Sequence, residues 1–337
     1  MATLKDVAAL AGISYTTVSH VLNNTRPVSE PVRRKVEAAI EQLAYVPSGV
    51  ARSLKARATA TIGLLLPNNI NPYFAELARG IEDHCGRNGY CVILCNADDD
   101  AAKQRHYVRM LLEKRIDGLL LAPSGLPHEG WEPLPIPLVV LDREVPGVAS
   151  DLVCIDHELG AWLATRHLLD LGHRCIACVT GPANVSVATL RAAGFHRAMA
   201  EQGCPVPPGW LVHSDFTSDG GYRAAGLLLS SVQPSAIFAA NDMLGMGVLR
   251  AAAERGVRVP QQLSVIGFDD IELCRYVYPA LSSVGQSIRQ LGERAAAQLL
   301  ARISGAQLGP AQRLIVEPAL VARESTAAPA HSQEALP

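Results

Sequence analysis

Polar side chains that could bind the hydroxyl groups of a small molecule stand where short apolar runs of this 337-residue sequence end. Asp142 and Arg143 end the run PLVVLDR, Asn241 ends AIFAAND, Asp269 lies in LSVIGFDD, and Gln286 follows SSVG. Carboxylate, amide and guanidinium groups are planar donors and acceptors, and a pocket needs only a few of them among apolar walls. The pattern indicates a site for a polyhydroxy ligand.

Aromatic side chains that could wall such a site occupy similar positions. Tyr73 and Phe74 follow the run TIGLLLP within NINPYFAE, with Asn71 just before them. Arg191 and Phe216 lie in loops or helix starts beyond later runs. Taken singly, such residues are explained as helix caps, surface ion pairs or core side chains, but their convergence favours a ligand site.

Two ligand classes fit this set of residues. A purine base would use aromatic side chains and arginine, as a sugar would. The Asp142–Arg143 pair together with Asn241 favours a molecule that presents several hydroxyl groups. A polyhydroxy ligand is therefore the main prediction, and a purine is the alternative.

The apolar runs also predict how these residues are positioned. The runs are short, apolar on both faces and separated by helical stretches, which is typical of parallel strands covered on both sides. They comprise residues 61–67, 90–96, 117–123, 137–143, 175–181, 236–242 and 263–270. The sequence predicts an α/β body of two doubly wound parallel-sheet halves, with ligands at the carboxyl ends of the strands.

A second group of hydrogen-bonding side chains lies near the N-terminus, in ISYTTVSHVLNN, residues 13–24. Three apolar residues at helical spacing would pack inward, and small polar groups would point the opposite way because successive residues turn by about 100°. The inward face comprises Val18, Val21 and Leu22, and the outward face Tyr15, Thr16, His20 and Asn23. Short polar tips of this kind can meet base edges in the major groove; an ordinary amphipathic helix is the alternative.

Three short helices are predicted in the first 46 residues. Gly12 ends the first helix, Ser14 is placed to cap the second, and Ser29 to cap the third, with Pro31 in its first turn. The third helix would turn Val36, Ile40 and Leu43 inward. A helix, a tight turn and a second helix make a helix-turn-helix.

The charge is divided unevenly along the chain. Residues 1–58 carry eight basic and four acidic side chains, a net charge of +4, whereas the whole chain carries −2 and the remainder therefore −6. A basic head on an acidic body suggests that a nucleic-acid contact is confined to the head.

Residues 48–61, SGVARSLKARATAT, are short, polar and basic. The stretch PSGVARSLK has helical propensity, but two turns of helix are marginal alone in water. We expect it to fold only against DNA and a partner chain. Leu54 would then act as an apolar wedge in the minor groove; a flexible linker is the alternative.

Other classes of protein receive little support. The pair Cys175 and Cys178 lies in an apolar run without a second CxxC, so buried reduced thiols of a cytosolic protein are predicted, as for Cys91 and Cys95. The acidic run Asp98–Asp100 reads as solvated charge. Motifs of common enzymes are absent from the sequence, and so is a signal peptide or membrane-spanning run. We expect neither an enzyme nor a bound metal or cofactor.

The segments TLKDVAALAGISYTTVSHVLN and VSEPVRRKVEAAIEQLAYVPSGVARSLK resemble the lactose-repressor (LacI/GalR) family of transcriptional regulators. The resemblance extends to about residue 325, because the body is similar to the type I periplasmic sugar-binding fold. Within the family, VTGP, RAAGFHRAM, SDFTSDGGYRAA, ANDMLGMG and GFDDIEL resemble ribose-responsive members, with purine-responsive members as the nearest alternative. A transport-type sugar-binding protein shares the body but lacks the basic head.

The resemblance implies a homodimeric repressor on a palindromic operator in the bacterial cytosol, associated with the nucleoid. By similarity, Tyr15, Thr16 and His20 would read bases, and Arg26 would add a groove or phosphate contact. Leu54 and Lys55 would lie in and along the minor groove. D-ribose would act as an inducer of genes for ribose uptake and use. No terminal leucine heptad is present, which favours a dimer over a tetramer.

The resemblance also implies an effector set similar to that of ribose-binding proteins. Three aromatic side chains would sandwich the sugar ring, and the polar residues would take its hydroxyls. The aromatic group comprises Tyr73, Phe74 and Phe216, and the polar group Asn71, Asp142, Arg143, Arg191, Asn241, Asp269 and Gln286. The chain departs from the family pattern at Ala122, where an asparagine is expected, and at Tyr73, where phenylalanine is expected.

The expected domain boundaries follow from these features. A helix-turn-helix domain is predicted over 1–46, a hinge helix and linker over 47–60, and an effector-binding and dimerisation body over 61–325. The body would comprise one half over 61–160 plus 290–320 and another over 161–289. The last residues, 326–337, are low in complexity and are predicted to be disordered.

Overall fold

The first apolar stripes fold into three helices, α1 (Leu4–Ala11), α2 (Tyr15–Asn23) and α3 (Glu30–Gln42). Val7, Val18 and Val36 are fully buried between them and form the centre of a small core. This head belongs to one compact unit, Met1–Thr59, and the rest of the chain, Ala60–Pro337, forms another. The computed structural model describes residues 2–23, 26–45, 58–124, 133–145 and 147–329.

The ends of these helices test the residues that were predicted to begin or end them. Gly12 ends α1 in the left-handed conformation, with φ of 64°, which glycine adopts without a steric cost. Ser14 accepts a hydrogen bond from the backbone N–H of Thr17 at 3.1 Å, as predicted for a cap. Ser29 occupies the N-cap position of α3, but its side chain makes no cap hydrogen bond; its predicted capping role is wrong. Pro31 lies in the first turn of α3, as predicted.

The body contains two parallel sheets, and the predicted α/β fold class is confirmed. The first sheet has the strand order β11-β5-β4-β3-β1-β2. Its strands are β1 (Thr61–Leu66), β2 (Cys91–Asn96), β3 (Gly118–Leu121), β4 (Leu138–Leu141), β5 (Asp151–Ile155) and β11 (Arg313–Val316). The second sheet has the order β7-β6-β8-β9. Its strands are β6 (Ile176–Thr180), β7 (Leu211–His213), β8 (Ala236–Ala239) and β9 (Ser264–Ile266).

Helices cover the faces of both sheets. They are α4 (Pro72–Arg87), α5 (Ala101–Glu113), α6 (His157–Asp170), α7 (Ser186–Glu201), α8 (Ser218–Ser231), α9 (Asp242–Glu254) and α10 (Ile288–Ile303). A short antiparallel pair, β10 (Ser283–Gly285) and β12 (Ala319–Val321), follows the second sheet. Within the described residues, the chain passes between the halves after β5, after β10 and after β11, so the halves are joined by several segments.

Some features of the body differ from the sequence prediction. Strands β5, β7 and β11 have no counterpart among the seven predicted runs. β2 is an edge strand whose side chains are partly exposed, so the expectation of cover on both faces is wrong there. For the same reason Cys91 is exposed, and Cys175, which precedes β6, is exposed too. Cys95 and Cys178 are buried, as predicted.

The C-terminal segment begins inside the folded body. Ala327 donates its backbone N–H to Ser264 Oγ at 3.0 Å, and His173 Nε2 lies 2.9 Å from the Ala327 carbonyl. The prediction of disorder from residue 326 is therefore wrong at its start, because a buried histidine and a buried serine bind the backbone of Ala327. Residues 330–337 lie outside the described part of the chain.

Candidate functional site

A cavity of about 340 Å³ opens at the carboxyl ends of strands from both sheets. Nine of the ten predicted effector residues line it: Asn71, Tyr73, Phe74, Asp142, Arg143, Arg191, Phe216, Asn241 and Asp269. The sequence did not identify the other lining residues as ligand contacts; they are Asn68, Asp99, Pro182, Asn184, Val185, Val187, Asp215 and Thr217. Asn68, Pro182 and Asp215 each lie two residues after a strand end, close to the kind of position that identified Asp142 and Asp269.

Gln286 is the predicted residue that the structure places elsewhere. It lies against a much smaller void, which it shares with Tyr73, Ile155 and Asp269. Its Nε2 atom is buried without a hydrogen-bond partner among the described residues. Tyr73 and Asp269 line both spaces, so they stand between Gln286 and the larger cavity. Direct contact of Gln286 with a ligand would require these side chains to move.

Asn71 and Asn241 cap the helices that begin at the cavity. Asn71 accepts from the backbone N–H of Tyr73 at 3.0 Å at the start of α4. Asn241 accepts from the N–H of Leu244 at 2.8 Å at the start of α9, and its Nδ2 donates to the carbonyl oxygen of Phe216 at 3.1 Å. The capping role is thus real for both residues, and it fixes their side chains where a ligand can reach them.

Asp142 links the aromatic side chain of Tyr73 to the polar groups of the cavity. The Tyr73 hydroxyl donates to Asp142 Oδ1 at 3.3 Å, and the Tyr73 ring meets Phe74 edge to face at 5.1 Å. Burial, together with the negative charge of Asp142, raises the pKa of Tyr73 well above its usual value. The hydroxyl therefore stays protonated and donates to the carboxylate.

Arg191 lies at the centre of the second half, with 4% of its surface exposed. Its Nη2 donates to Asp269 Oδ1 at 3.0 Å, its Nη1 to the Ala240 carbonyl, and its guanidinium lies 3.8 Å from the centre of the Phe268 ring. Stacking on an aromatic face and bidentate donation are properties of arginine that lysine does not share. Burial raises the pKa of the Asp269 carboxyl, against the opposing effect of Arg191.

Arg143 projects between the two halves from the end of β4. Its Nη1 donates to the Pro123 carbonyl at 3.1 Å and lies 3.6 Å from Asp99 Oδ1. Its Nε is buried and makes no hydrogen bond to the described residues, although Asp142 Oδ2 is 3.5 Å away. A buried guanidinium N–H without an acceptor is costly, and a ligand hydroxyl in the cavity would supply one.

The acidic run after β2 is exposed along its length, as predicted, but its members have different partners. Asp100 accepts from the backbone N–H groups of Ala102 and Lys103 at the start of α5. Asp98 pairs with the Lys103 ammonium. Asp99 borders the cavity although 52% of its side-chain surface is exposed, and partial burial raises its pKa.

Four residues of the cavity have left-handed backbones that side-chain-bearing residues seldom adopt. The φ angles are 53° at Asp99, 62° at Asp142, 61° at Phe216 and 106° at Asp269. Such strain costs roughly 1–3 kcal/mol per residue and tends to cluster at ligand sites. Asp142 follows β4 directly, and the other three each lie three residues after the end of a strand, β2, β7 or β9.

Phe216 lies close to the loop that follows β6. A Cβ atom at Gly181 would lie 2.1 Å from the Phe216 ring, well inside contact distance. The backbone of Phe216 is held as well, because its carbonyl oxygen accepts a hydrogen bond from the Asn241 side chain. Gly181 therefore allows the aromatic wall of the second half to occupy its position.

We expect Gly181→Ala to push the Phe216 ring out of place and to weaken effector binding about tenfold or more, since an aromatic wall contributes ~1–2 kcal/mol. The affinity is measured by titration calorimetry, and the melting temperature shows whether the body stays folded. Gly86→Ala is the control for glycine replacement, because a Cβ there meets open space and the backbone has no positive φ. An unchanged affinity in folded Gly181→Ala would show that the position of Phe216 is unimportant.

The polar groups around the cavity favour a ligand that carries hydroxyls. Four carboxyl groups line it, from Asp99, Asp142, Asp215 and Asp269, together with two guanidinium groups, from Arg143 and Arg191. Burial raises the pKa of the Asp99 and Asp269 carboxyls, so the lining carries less negative charge than the formal −2. Donors and acceptors together suit hydroxyl groups, which do both.

The head presents the predicted recognition surface on α2. Tyr15 is 54% exposed and Thr16 is exposed, while His20 is partly buried. Arg26 is exposed between α2 and α3. The opposite side of α2 packs Val18 into the core. The predicted DNA contacts Leu54 and Lys55 lie outside the described residues, as does nearly all of the predicted hinge.

Some sites are absent from the described part of the chain. It contains no group of three or more side chains placed to hold a metal ion. No helix in it is both long enough and apolar enough to cross a bilayer.

A helix-turn-helix head and a two-lobed body with a ligand cavity define a class of protein, the ligand-regulated DNA-binding regulators. The model of the lacI family of bacterial regulatory proteins matches residues 3–48, and that of the periplasmic binding protein-like domain matches residues 165–326. The ribose operon repressor of Escherichia coli K12 is 42% identical over 330 residues, covering 96% of this chain and 100% of the relative. The chain belongs to the lacI family.

Relatives named for two different effector classes have the same sequence identity to this chain. The HTH-type transcriptional repressor PurR of Photobacterium profundum is 42% identical, covering 90% of this chain and 92% of the relative. The lac repressor dimer bound to operator and an anti-inducer has a TM-score of 0.85 at 29% identity, covering 97% and 99% of the two chains. A LacI-family regulator of Enterococcus faecium with bound ribose has a TM-score of 0.71 at 32% identity, covering 80% and 99%.

Proposed function

We propose that this LacI-family repressor responds to D-ribose, which acts as an inducer of genes for ribose uptake and catabolism. The observation that carries the proposal is a cavity in which Asp142, Arg143, Arg191 and Asp269 lie beside aromatic walls. A pentose presents hydroxyls around its edge and two weakly apolar faces, and such a cavity offers partners to both. The relatives named for ribose support the choice.

The lining also distinguishes between forms of the sugar. Four carboxyl groups line the cavity against two guanidinium groups, so we expect the neutral sugar to bind better than its phosphate ester, which would place more negative charge beside the carboxylates that stay ionised. Arg143 offers a buried Nε–H that still needs an acceptor. We therefore propose free D-ribose rather than a phosphorylated pentose.

The proposed mechanism couples two binding events. Arg143 belongs to the first half and Arg191 to the second, so a ligand that contacts both biases the angle between the halves. In a dimer, such a change would misalign the two hinge segments, and the repressor would then release its palindromic operator. We propose that this takes place in the cytoplasm, on nucleoid DNA. Coupling of this kind is reciprocal and typically amounts to about 1–3 kcal/mol. Induction, rather than corepression, rests on similarity to the family.

Homodimerisation is part of the proposal. The segment that follows β9 exposes three large side chains: Leu273 is 44% exposed, Tyr276 74% and Tyr278 94%. Contiguous exposed apolar groups of this kind often mark protein–protein contacts. A structural neighbour at 97% coverage is described as a dimer bound to operator. These observations favour a second copy of the chain as the partner.

A purine-responsive repressor is the second candidate. It is favoured by the equal identity to a repressor named PurR and by the Arg191 guanidinium and the Phe216 ring, which both line the cavity. Catalytic or transport functions have no comparable support, because the relatives at this coverage are transcriptional repressors.

Titration calorimetry of the full-length protein against D-ribose, other pentoses, hypoxanthine and guanine decides between the candidates. We expect D-ribose to bind, other pentoses to bind more weakly, and both purines to give no heat of binding. Binding of a purine alone would overturn the effector assignment. Addition of D-ribose to the protein on its operator is expected to weaken DNA binding; tighter binding would reverse the proposed sign of regulation.

A further inference from the structure

His157 connects two of the proposed effector contacts. It does not line the 340 Å³ cavity, but it borders a neighbouring space of about 630 Å³ that shares Asp142 and Arg143 with it. It is the first residue of α6, directly after β5, and only 3% of its surface is exposed. Its Nε2 lies 3.0 Å from the carbonyl oxygen of Asp142. Its Nδ1 faces Arg191, 3.4 Å from Nε and 3.3 Å from Nη2. The imidazole thus spans from a residue of the first half to one of the second.

The partners determine which ring nitrogen carries the proton. A guanidinium only donates hydrogen bonds, so Nδ1 accepts from Arg191 and is unprotonated. Nε2 then carries the hydrogen and donates to the Asp142 carbonyl. Burial, together with the positive charge of Arg191, lowers the pKa of His157 to about 4. The neutral ring therefore offers one acceptor and one donor on opposite sides at physiological pH.

These contacts complete a polar chain through the body. The Tyr73 hydroxyl donates to the Asp142 carboxylate, His157 donates to the Asp142 carbonyl and accepts from Arg191, and Arg191 donates to Asp269. The approach of α7 to the start of α6 is tight, because a Cβ at Gly194 would lie 2.1 Å from the Glu158 carbonyl. Arg191, one turn earlier on α7, is therefore held beside His157.

We infer that His157 is a positioning residue, which orients Asp142 and Arg191 toward each other across the cleft and so sets effector affinity without touching the effector. This inference rests on the proposed function for the identity of the ligand. Asp142 has a strained backbone with φ of 62°, and the hydrogen bond from His157 holds its carbonyl in that conformation. Without the imidazole, the guanidinium of Arg191 would lose the acceptor that fixes its Nε side.

The test compares His157→Phe, which keeps the ring but removes both polar atoms, with His157→Gln, whose amide can accept from Arg191 and donate to Asp142. We expect His157→Phe to bind D-ribose about 10- to 100-fold more weakly, because a buried charged donor is left unpaired. His157→Gln should recover most of this loss. His157→Met replaces the phenylalanine variant if that variant fails to fold.

His167→Phe is the matched control, since it changes a half-buried histidine of the same helix that bonds Thr326, away from the cavity. Its affinity should equal that of the wild type. Equal affinity of His157→Phe and wild type would overturn the inference. So would equal weakness of the phenylalanine and glutamine variants, because packing alone would then explain the effect.

Failure of the proposed function is a separate outcome. If the wild type binds no D-ribose, that function falls, and the same variants are titrated with hypoxanthine and guanine, with the same order expected. A double-mutant cycle on the free energy of unfolding needs no ligand. His157→Phe and Arg191→Met should then be non-additive, and strictly additive effects would overturn the positioning role.

Discussion

Arg191→Met is expected to weaken effector binding by about 100-fold or more while leaving operator binding intact. A charge-assisted hydrogen bond contributes ~1.5–3 kcal/mol, and each 1.4 kcal/mol is a factor of ten in affinity. The substitution also leaves the Asp269 carboxylate buried without the cation that lies 3.0 Å away. It also removes the stacking contact with the Phe268 ring, which orients the guanidinium group of Arg191. The effect should therefore exceed that of any single aromatic replacement.

The measurement is calorimetric titration with D-ribose beside a gel-shift assay on operator DNA. Arg197→Met is a matched control, because Arg197 lies on the same helix with a half-exposed side chain paired to Glu158. Arg191→Lys should fall between the two, since lysine keeps the charge but not the planar fork. A folded Arg191→Met protein with wild-type affinity would remove Arg191 from the site.

Val36→Asp is expected to abolish operator binding and leave effector affinity unchanged. Val36 is fully buried in the small core of the head, and an unpaired carboxylate there costs about 4 kcal/mol or more. The head is a compact unit of its own and, at its size, has little stability to lose. Operator affinity should fall more than about 100-fold at fixed salt.

Glu41→Asp is the control for Val36→Asp, because it places aspartate on the exposed side of α3. Deleting residues 1–59 should reproduce the phenotype of Val36→Asp. Operator binding that survives both changes would show that the head is not the DNA-binding part. Loss of D-ribose binding in the deletion would show that the body depends on the head.

The sequence predicted the elements of the fold because apolar runs and caps are local signals. Seven strands fall in the predicted runs: β1, β2, β3, β4, β6, β8 and β9. β11 was missed because Arg313 and Leu314 are exposed at a sheet edge and carry no apolar periodicity. β7 has three residues, too few for any period to be visible.

The candidate site was predictable as a set of residues but not as a geometry. Strand ends identified Asp142 and Asp269, since parallel strands bring their carboxyl ends together. Nothing local separates Asp99, which lines the cavity, from Asp98, which pairs with Lys103. The role of His157 depends on contacts with residues 15 and 34 positions away, which periodicity does not report.

The left-handed backbones at Asp142, Phe216 and Asp269 restrict how this regulator could be converted into a biosensor for another metabolite. In libraries that randomise these positions freely, most clones would carry side chains that the left-handed backbone disfavours, the β-branched residues most of all. Asparagine and glycine tolerate such conformations, so they are the practical replacements there. Diversity is better placed at Asn184, Val185 and Thr217, which line the same cavity without a positive φ angle.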